Sequence, residues 1–164
     1  MAFGRDAIIT EVQTCSVRGG ISNWLLVKLT IDAGITGIGD ATLKRQSAAV
    51  RTVIEGLRDT HVIGWSAFDI SGFVASALRA TFWRGRPVLM SAISGLEIAM
   101  WDVAGRLLEQ PVHRLFGGRC RSSVRAYANG WYRSINRPDQ FADEARAIVE
   151  DGYTALKLEP LGRT

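Results

Sequence analysis

The sequence predicts an α+β fold, an antiparallel sheet followed by helices, and three observations carry that reading. From Asn23 to Asp32, Leu25, Val27, Leu29 and Ile31 alternate with Trp24, Leu26, Lys28 and Thr30. This is the two-residue period of a strand with one aliphatic and one amphipathic face. Between Pro87 and Pro111, Leu89, Ile93, Leu96, Met100, Val103 and Leu107 recur at three- and four-residue steps, lining one face of a helix. After Gly118 the pattern becomes β-rich over Ser123 to Asn129, helical over Pro138 to Glu150 and β-rich again over Thr154 to Leu158. Strand, helix and strand with a crossover of that length make a βαβ unit with parallel strands.

In chain order, Ala7 to Val17 is rich in Ile, Val and Thr and reads as the first strand. Val17 to Ser22 follows as a loop with two adjacent glycines, Gly19 and Gly20, and a cation, Arg18. After the Asn23 to Asp32 strand, Asp32-Ala33-Gly34 is a turn signal and Ile35 to Gly39 supplies a short return strand. Gly34, Gly37 and Gly39 form a G-x-x-G-x-G string, but it sits at a hairpin and not at the strand-to-helix turn a dinucleotide fingerprint requires. Asp40 to Gln46 is a loop. Gln46 to Arg58 reads as an amphipathic helix with Val50, Val53, Ile54 and Leu57 inward and Arg51, Glu55 and Arg58 solvated. Phe68 to Phe82 is a second helical stretch bearing Phe73, Val74, Ala77 and Leu78. His61, between these helices, and His113, after the long helix, stand outside any visible partner constellation and read as structural or surface groups.

The long helix is expected to be central and buried. Its other positions hold Ala92, Ser94, Gly95, Ala99, Ala104 and Gly105, small side chains that admit a close neighbour where a solvated face would carry charges. Pro87 suits a first helical turn, where a missing amide donor costs nothing, and Pro111 cannot continue the helix. Gly117-Gly118 turns the chain out of this region.

With 164 residues, 47% of them hydrophobic, and a mean hydropathy of +0.07, the chain can bury a core and is not expected to be disordered. No window approaches the roughly 18 uninterrupted apolar residues of a membrane span, and MAFGRDAIITEV lacks the apolar core of a secretion signal. A cytoplasmic protein is the expectation. Cys15 and Cys120 stand alone, which argues against metal ligation or a disulfide framework and for free, buried thiols. The net charge is +4, with seventeen Arg against three Lys. The arginines are scattered from Arg5 to Arg163 among acidic residues, so they read as a solvated surface and not as a nucleic-acid interface.

The run SAISGLEIAMWDVAGRLLEQPVHRLFGG, with its Trp101-Asp102 pair and closing Gly-Gly, resembles the junction between capping domain and barrel in the mandelate racemase / muconate lactonizing branch of the enolase superfamily. Acid-sugar dehydratases belong to that branch. The resemblance extends over nearly the whole chain, through the opening strands, the helices and the Lys157-Leu158-Glu159-Pro160 tail. It implies a capping domain over residues 1–118 and, over residues 119–164, the first βαβ unit of an incomplete (β/α) barrel. It further implies that Val17 to Ser22 is the lid loop that closes over substrate, with Arg18 offering a planar cation to a carboxylate. From the residues alone, an ordinary hairpin connection is the better reading, and it is the resemblance that favours the lid.

Reacting groups of an α/β barrel lie at the C-terminal ends of its strands. The first strand end holds Asn129, Gly130, Trp131 and Tyr132, which suit a polyol pocket by hydrogen bonding and stacking, or else core packing and a turn. At the second, alternation puts Lys157 and Glu159 on one side, the barrel interior, as an ion pair or a site. In the racemase-like families this strand end carries Lys-x-Lys, whose second lysine abstracts the proton alpha to the substrate carboxylate. Here Lys157 matches the first lysine, and Glu159 stands where that base would be. A carboxylate neighbour favours a charged ammonium, the opposite of what a lysine base requires. The pattern fits acid-sugar dehydratases better, with a later His as acid/base and Lys157 as a fixed cation.

The superfamily binds Mg²⁺ through carboxylates of the third, fourth and fifth barrel strands, so the resemblance implies Mg²⁺ in the complete enzyme and no metal ligand in this chain. The chain alone is expected to be inactive and, with barrel edges uncovered, to associate with itself or with a complementary barrel half. The expected substrate is a sugar acid or hydroxy acid. Racemisation or epimerisation of a hydroxy acid is the alternative within the family, and a non-catalytic interaction module is the alternative outside it.

Overall fold

The computed structural model describes residues 6–19, 22–80, 82, 84–132, 135 and 137–159. The chain divides into two compact units, Met1–Gly118 and Arg119–Thr164. In the first, β1 (Ile9–Gly19), β2 (Ser22–Ile31) and β3 (Thr36–Asp40) form an antiparallel sheet in the order β1-β2-β3. The alternation in β2 does what the sequence predicts, because Leu25, Val27, Leu29 and Ile31 are fully buried. Trp24, on the opposite face, is 47% exposed. The predicted loop from Val17 to Ser22 is shorter than expected. Val17, Arg18 and Gly19 are paired with Trp24, Asn23 and Ser22, so they belong to the sheet. Strand pairing satisfies backbone groups that a loop would leave to solvent, and it overrides the glycine signal.

Helix α1 (Ser47–Leu57) buries Val50, Ile54 and Leu57. It runs into a π-helical turn over Arg58–Val62, closed by Ile63 N–H donating to the Arg58 carbonyl at 2.8 Å. The extra residue in that turn brings Val62 into the core at 0% exposure. Helix α2 (Ile70–Arg79) buries Phe73 and Ala77.

Helix α3 (Pro87–Leu107) spans 21 residues, starts on the predicted proline and is the spine of this unit. By length and composition it could cross a membrane, yet 56% of its most apolar window is buried inside the protein. Sheet and helices occupy its apolar stripe. Its small residues work as expected against β3: a Cβ on Gly39 would lie 1.9 Å from the Gly95 carbonyl oxygen, and one on Gly37 would lie 2.2 Å from that of Ala99. Strand and helix backbones therefore touch with no side chain between them. Ser94 is the exception, since it faces solvent.

The unit closes with the short helix α4 (Val112–Leu115). Gly117 and Gly118 then adopt φ of 95° and 100°, and Gly118 N–H donates to the His113 carbonyl at 2.9 Å. This left-handed ending is open to glycine and strained for other residues.

The second unit holds helix α5 (Gln140–Glu150) between two extended segments. The predicted parallel strands are each reduced to one bridge residue, Ala128 opposite Leu156. Among the described residues no further strand flanks either segment, and a lone parallel pair is too little to hold a ladder.

Candidate functional site

In an antiparallel pair, residues directly opposite share a face. Ser16 lies across from Leu25 and Arg18 across from Asn23, so both stand on the sheet face that carries the buried Leu25. Near its open end that face emerges into solvent, and Ser16 and Arg18 are exposed. On the other face the Trp24 indole crosses Gly19 so closely that a Cβ there would lie 2.1 Å from Nε1. The hairpin end thus presents one guanidinium from a paired strand. Gly20, the remaining residue of the predicted lid, lies outside the described residues.

A contact that the sequence did not reveal holds this end to α1. Arg51, expected on the solvated face, turns inward and donates from Nη2 to Ser16 Oγ at 2.7 Å, and its Nε is shielded from solvent without an acceptor among the described residues. No helical or strand periodicity marks such a pair, 35 residues apart. Two surface clefts in this unit avoid the hairpin end. One, of about 500 Å³, is lined by Cys15, Leu26, Lys28 and Ile38 among others. The second, of about 550 Å³, lies over Ile98, Trp101 and Phe116. Neither contains a predicted substrate residue.

In the second unit the two segment ends are tied together. Ala128 N–H donates to the Ala155 carbonyl at 2.9 Å, and Lys157 N–H donates to that of Ala128 at 2.8 Å. Trp131 Nε1 then donates to the Lys157 carbonyl at 2.9 Å. The Trp131 ring stands edge-on to Tyr132 at 5.5 Å and to Phe141 of α5 at 6.2 Å between centroids. Trp131 therefore offers a ligand its ring and not its N–H. Asn129 is exposed beside it.

Lys157 Nζ lies 3.7 Å from Glu159 Oε1, on the same side as alternation requires, but the side chains are 48% and 63% exposed. The interior position expected of them is not seen in this chain, because the described residues build no closed barrel around the pair. A solvated pair of this kind costs little to keep and contributes little to stability. Pro160 lies outside the described residues. The structure thus brings Trp131, Tyr132, Lys157 and Glu159 into one cluster, while Arg18 and Gly19 belong to the other compact unit.

Asp102, of the Trp101-Asp102 pair, has a structural task. Its Oδ2 accepts from Ile38 N–H at 2.9 Å and from Arg106 Nε at 3.1 Å, clamping β3 to α3. Cys15 and Cys120 are free, but they are exposed where burial was expected, because Cys15 points to the amphipathic face of β1 and Cys120 follows the Gly117-Gly118 turn. Among the described residues no group of three or more His, Cys, Asp or Glu could hold a metal ion. These residues therefore do not fit Mg²⁺.

Residues 9–117 match the family model of the mandelate racemase / muconate lactonizing enzyme N-terminal domain. A D-mannonate dehydratase of Caulobacter vibrioides is 32% identical over 90% of this chain and 35% of its own length. A D-gluconate/D-galactonate dehydratase of Picrophilus torridus is 36% identical over 85% of this chain and 36% of its own. Among solved structures, a Pantoea ananatis enolase with bound D-gluconate and Mg superposes with a TM-score of 0.80 at 31% identity, covering 91% of this chain and 35% of that one. A candidate dehydratase of Mesorhizobium loti reaches 0.90 at 36% identity, over 94% and 42%. The chain spans about a third of the length of the two curated relatives. The three-stranded sheet, the helices packed on it and the match over residues 9–117 place the chain in the mandelate racemase / muconate lactonizing enzyme family of the enolase superfamily, with the first unit as the family's N-terminal capping domain.

Proposed function

We propose that this chain is the N-terminal part of a Mg²⁺-dependent acid-sugar dehydratase. Such an enzyme removes the proton alpha to the substrate carboxylate and expels the beta hydroxyl as water, and the resulting enol tautomerises to a 2-keto acid. The observation that carries the reading is the agreement of two dehydratases of sugar acids, one for mannonate and one for gluconate/galactonate, over 90% and 85% of this chain.

In this reading Arg18 takes the substrate carboxylate at the hairpin end, beside Gly19 and Gly20, because a guanidinium binds a carboxylate through two parallel hydrogen bonds. Asn129 and Tyr132 hydrogen-bond sugar hydroxyls, the Trp131 ring packs on the carbon skeleton, and Lys157 is a fixed cation held by Glu159. That carboxylate, standing where the racemase pattern has its lysine base, favours dehydration over racemisation. Mg²⁺ bound elsewhere in the complete polypeptide would stabilise the charge that develops on the carboxylate. The 164-residue chain alone is expected to be inactive and to need the remaining barrel, in the same polypeptide or in a complementary one.

The test is to determine the intact mass of the polypeptide expressed from its own gene, then to incubate that species with Mg²⁺ and D-gluconate, D-galactonate or D-mannonate in D₂O. A 2-keto product supports dehydration. Alpha-deuterated substrate without keto acid would replace it with racemisation, and neither outcome on any sugar acid would leave the interaction module standing.

A further inference from the structure

Arg51 does not behave as an arginine on a helix surface ordinarily does. Glu55 follows it by four residues on α1, the spacing at which opposite charges pair along a helix. Arg51 instead crosses to β1 and hydrogen-bonds the neutral hydroxyl of Ser16 at 2.7 Å. Its Nε is cut off from water, and among the described residues it has no acceptor and no carboxylate forms an ion pair with it. A guanidinium that buries its Nε and gains one neutral, solvent-accessible partner gains little net stability. What the contact does supply is geometry. Ser16 precedes Arg18 by two residues on the same sheet face, and the β1–β2 pairing ends one residue later at Gly19 and Ser22. Among the described residues, this is the one hydrogen bond from a helical side chain to the hairpin end.

We propose that Arg51 is a positioning residue: by holding Ser16 it fixes the direction in which the hairpin end presents Arg18. The consequence for substrate rests on the proposed function, in which Arg18 receives the carboxylate. The anchor itself does not, since it is defined by two residues of the folded chain.

Amide hydrogen exchange of the 164-residue chain, without substrate, tests the anchor. In Arg51→Met, which keeps the stem and removes the donors, and in Ser16→Ala, amides of residues 17–19 and 22–24 are expected to exchange roughly tenfold faster. Arg51→Lys, which keeps one charged donor, restores most of the protection. Exchange in α3 and the melting temperature stay close to the parent's, which a general packing role would not allow. Parental exchange at the hairpin end in Ser16→Ala, equal acceleration in α3, or failure of the lysine to rescue would each overturn the proposal. Should Arg51→Met fail to fold, Ser16→Ala, at an exposed position, decides alone. Because no substrate enters the experiment, its result and the dehydratase assay can fail separately.

Discussion

Replacing Gly39 by alanine tests whether β3 and α3 are held in backbone contact. The added Cβ would lie 1.9 Å from the Gly95 carbonyl oxygen and 2.9 Å from the Ala99 nitrogen, against about 3.4 Å for the onset of ordinary contact. Neither obstacle is a flexible side-chain end that can swing away. The strand and helix must therefore part by roughly 1.5 Å, and a gap of 0.5–1 Å already forfeits a quarter to a half of each dispersion contact across it. The fully buried Leu96, Ala99, Met100 and Val103 of α3 share that cost. Overpacking typically destabilises by about 1–3 kcal/mol, and a backbone obstacle puts Gly39→Ala near or above the top of that range. For a unit of this size the melting temperature should fall by roughly 10–15 °C or more. Gly56→Ala is the matched control. Gly56 is an exposed residue of α1 with nothing within 4 Å of the added Cβ, so the same chemical change should stabilise by about 0.5–1 kcal/mol. Thermal and urea melts followed by circular dichroism read both. A Gly39→Ala protein that melts with the parent, or a Gly56→Ala protein that loses more than Gly39→Ala, would refute the reasoning.

Asp102→Ala should cost about 1–3 kcal/mol in urea unfolding, because it strips a charged acceptor from Ile38 N–H and Arg106, while Asp102→Asn, which keeps an acceptor for the amide, should cost less. Trp131→Phe keeps the ring contact with Phe141 but removes the donor to the Lys157 carbonyl, so exchange protection over residues 155–158 should fall by several-fold while the first unit is unchanged. Hydrogen bonds from Arg58, then the charge of that guanidinium, hold the Asp59 carboxyl below the ordinary aspartate range. A depressed carboxyl contributes stability that is present above the ordinary range and lost as pH falls through its folded value, so its resonance should titrate low in the parent and return to the ordinary range in Arg58→Gln.

The parts of the fold legible in the sequence are those in which one periodicity is enforced by one buried face. In β2 the alternation is strict because Leu25 to Ile31 face the core on one side only, and in α3 the three- and four-residue steps run unbroken from Leu89. Gly37 and Gly39 are visible as glycines, but their purpose is not, since it depends on meeting Gly95 and Ala99, some 60 residues away in the chain, on another element. The π-helical turn is hidden for a related reason: Arg58 to Val62 carries acceptable helix residues, and only Val62's place in the core demands the inserted residue. Of the candidate site, the neighbourhood of Lys157 and Glu159 follows from strand alternation. The use of the Trp131 N–H on the Lys157 carbonyl and the reach of Arg51 across to Ser16 do not, because both are choices between partners that pattern alone presents as equal.

The two ends of the β1–β2 hairpin obey different physics, and this separates positions that carry stability from positions free to change in the first unit. At the base, Ile9 and Ile31 are buried, Ile9 N–H donates to the Trp65 carbonyl at 2.9 Å, and a change there must be absorbed by the core. At the open end, Arg18 is exposed, Trp24 lies half in solvent over Gly19, and the helical layer reaches the strand through Arg51. Substitutions of exposed groups away from cores and caps usually fall within about 0.5 kcal/mol. A residue such as Arg18 can therefore be exchanged without unfolding the sheet that carries it. Gly39, near the other sheet edge, has no such freedom, since its space is already filled by the backbone of α3. If Arg18 receives the substrate carboxylate as proposed, the residue that does so is free to change at the hairpin end, and the strand and helix that support it are not.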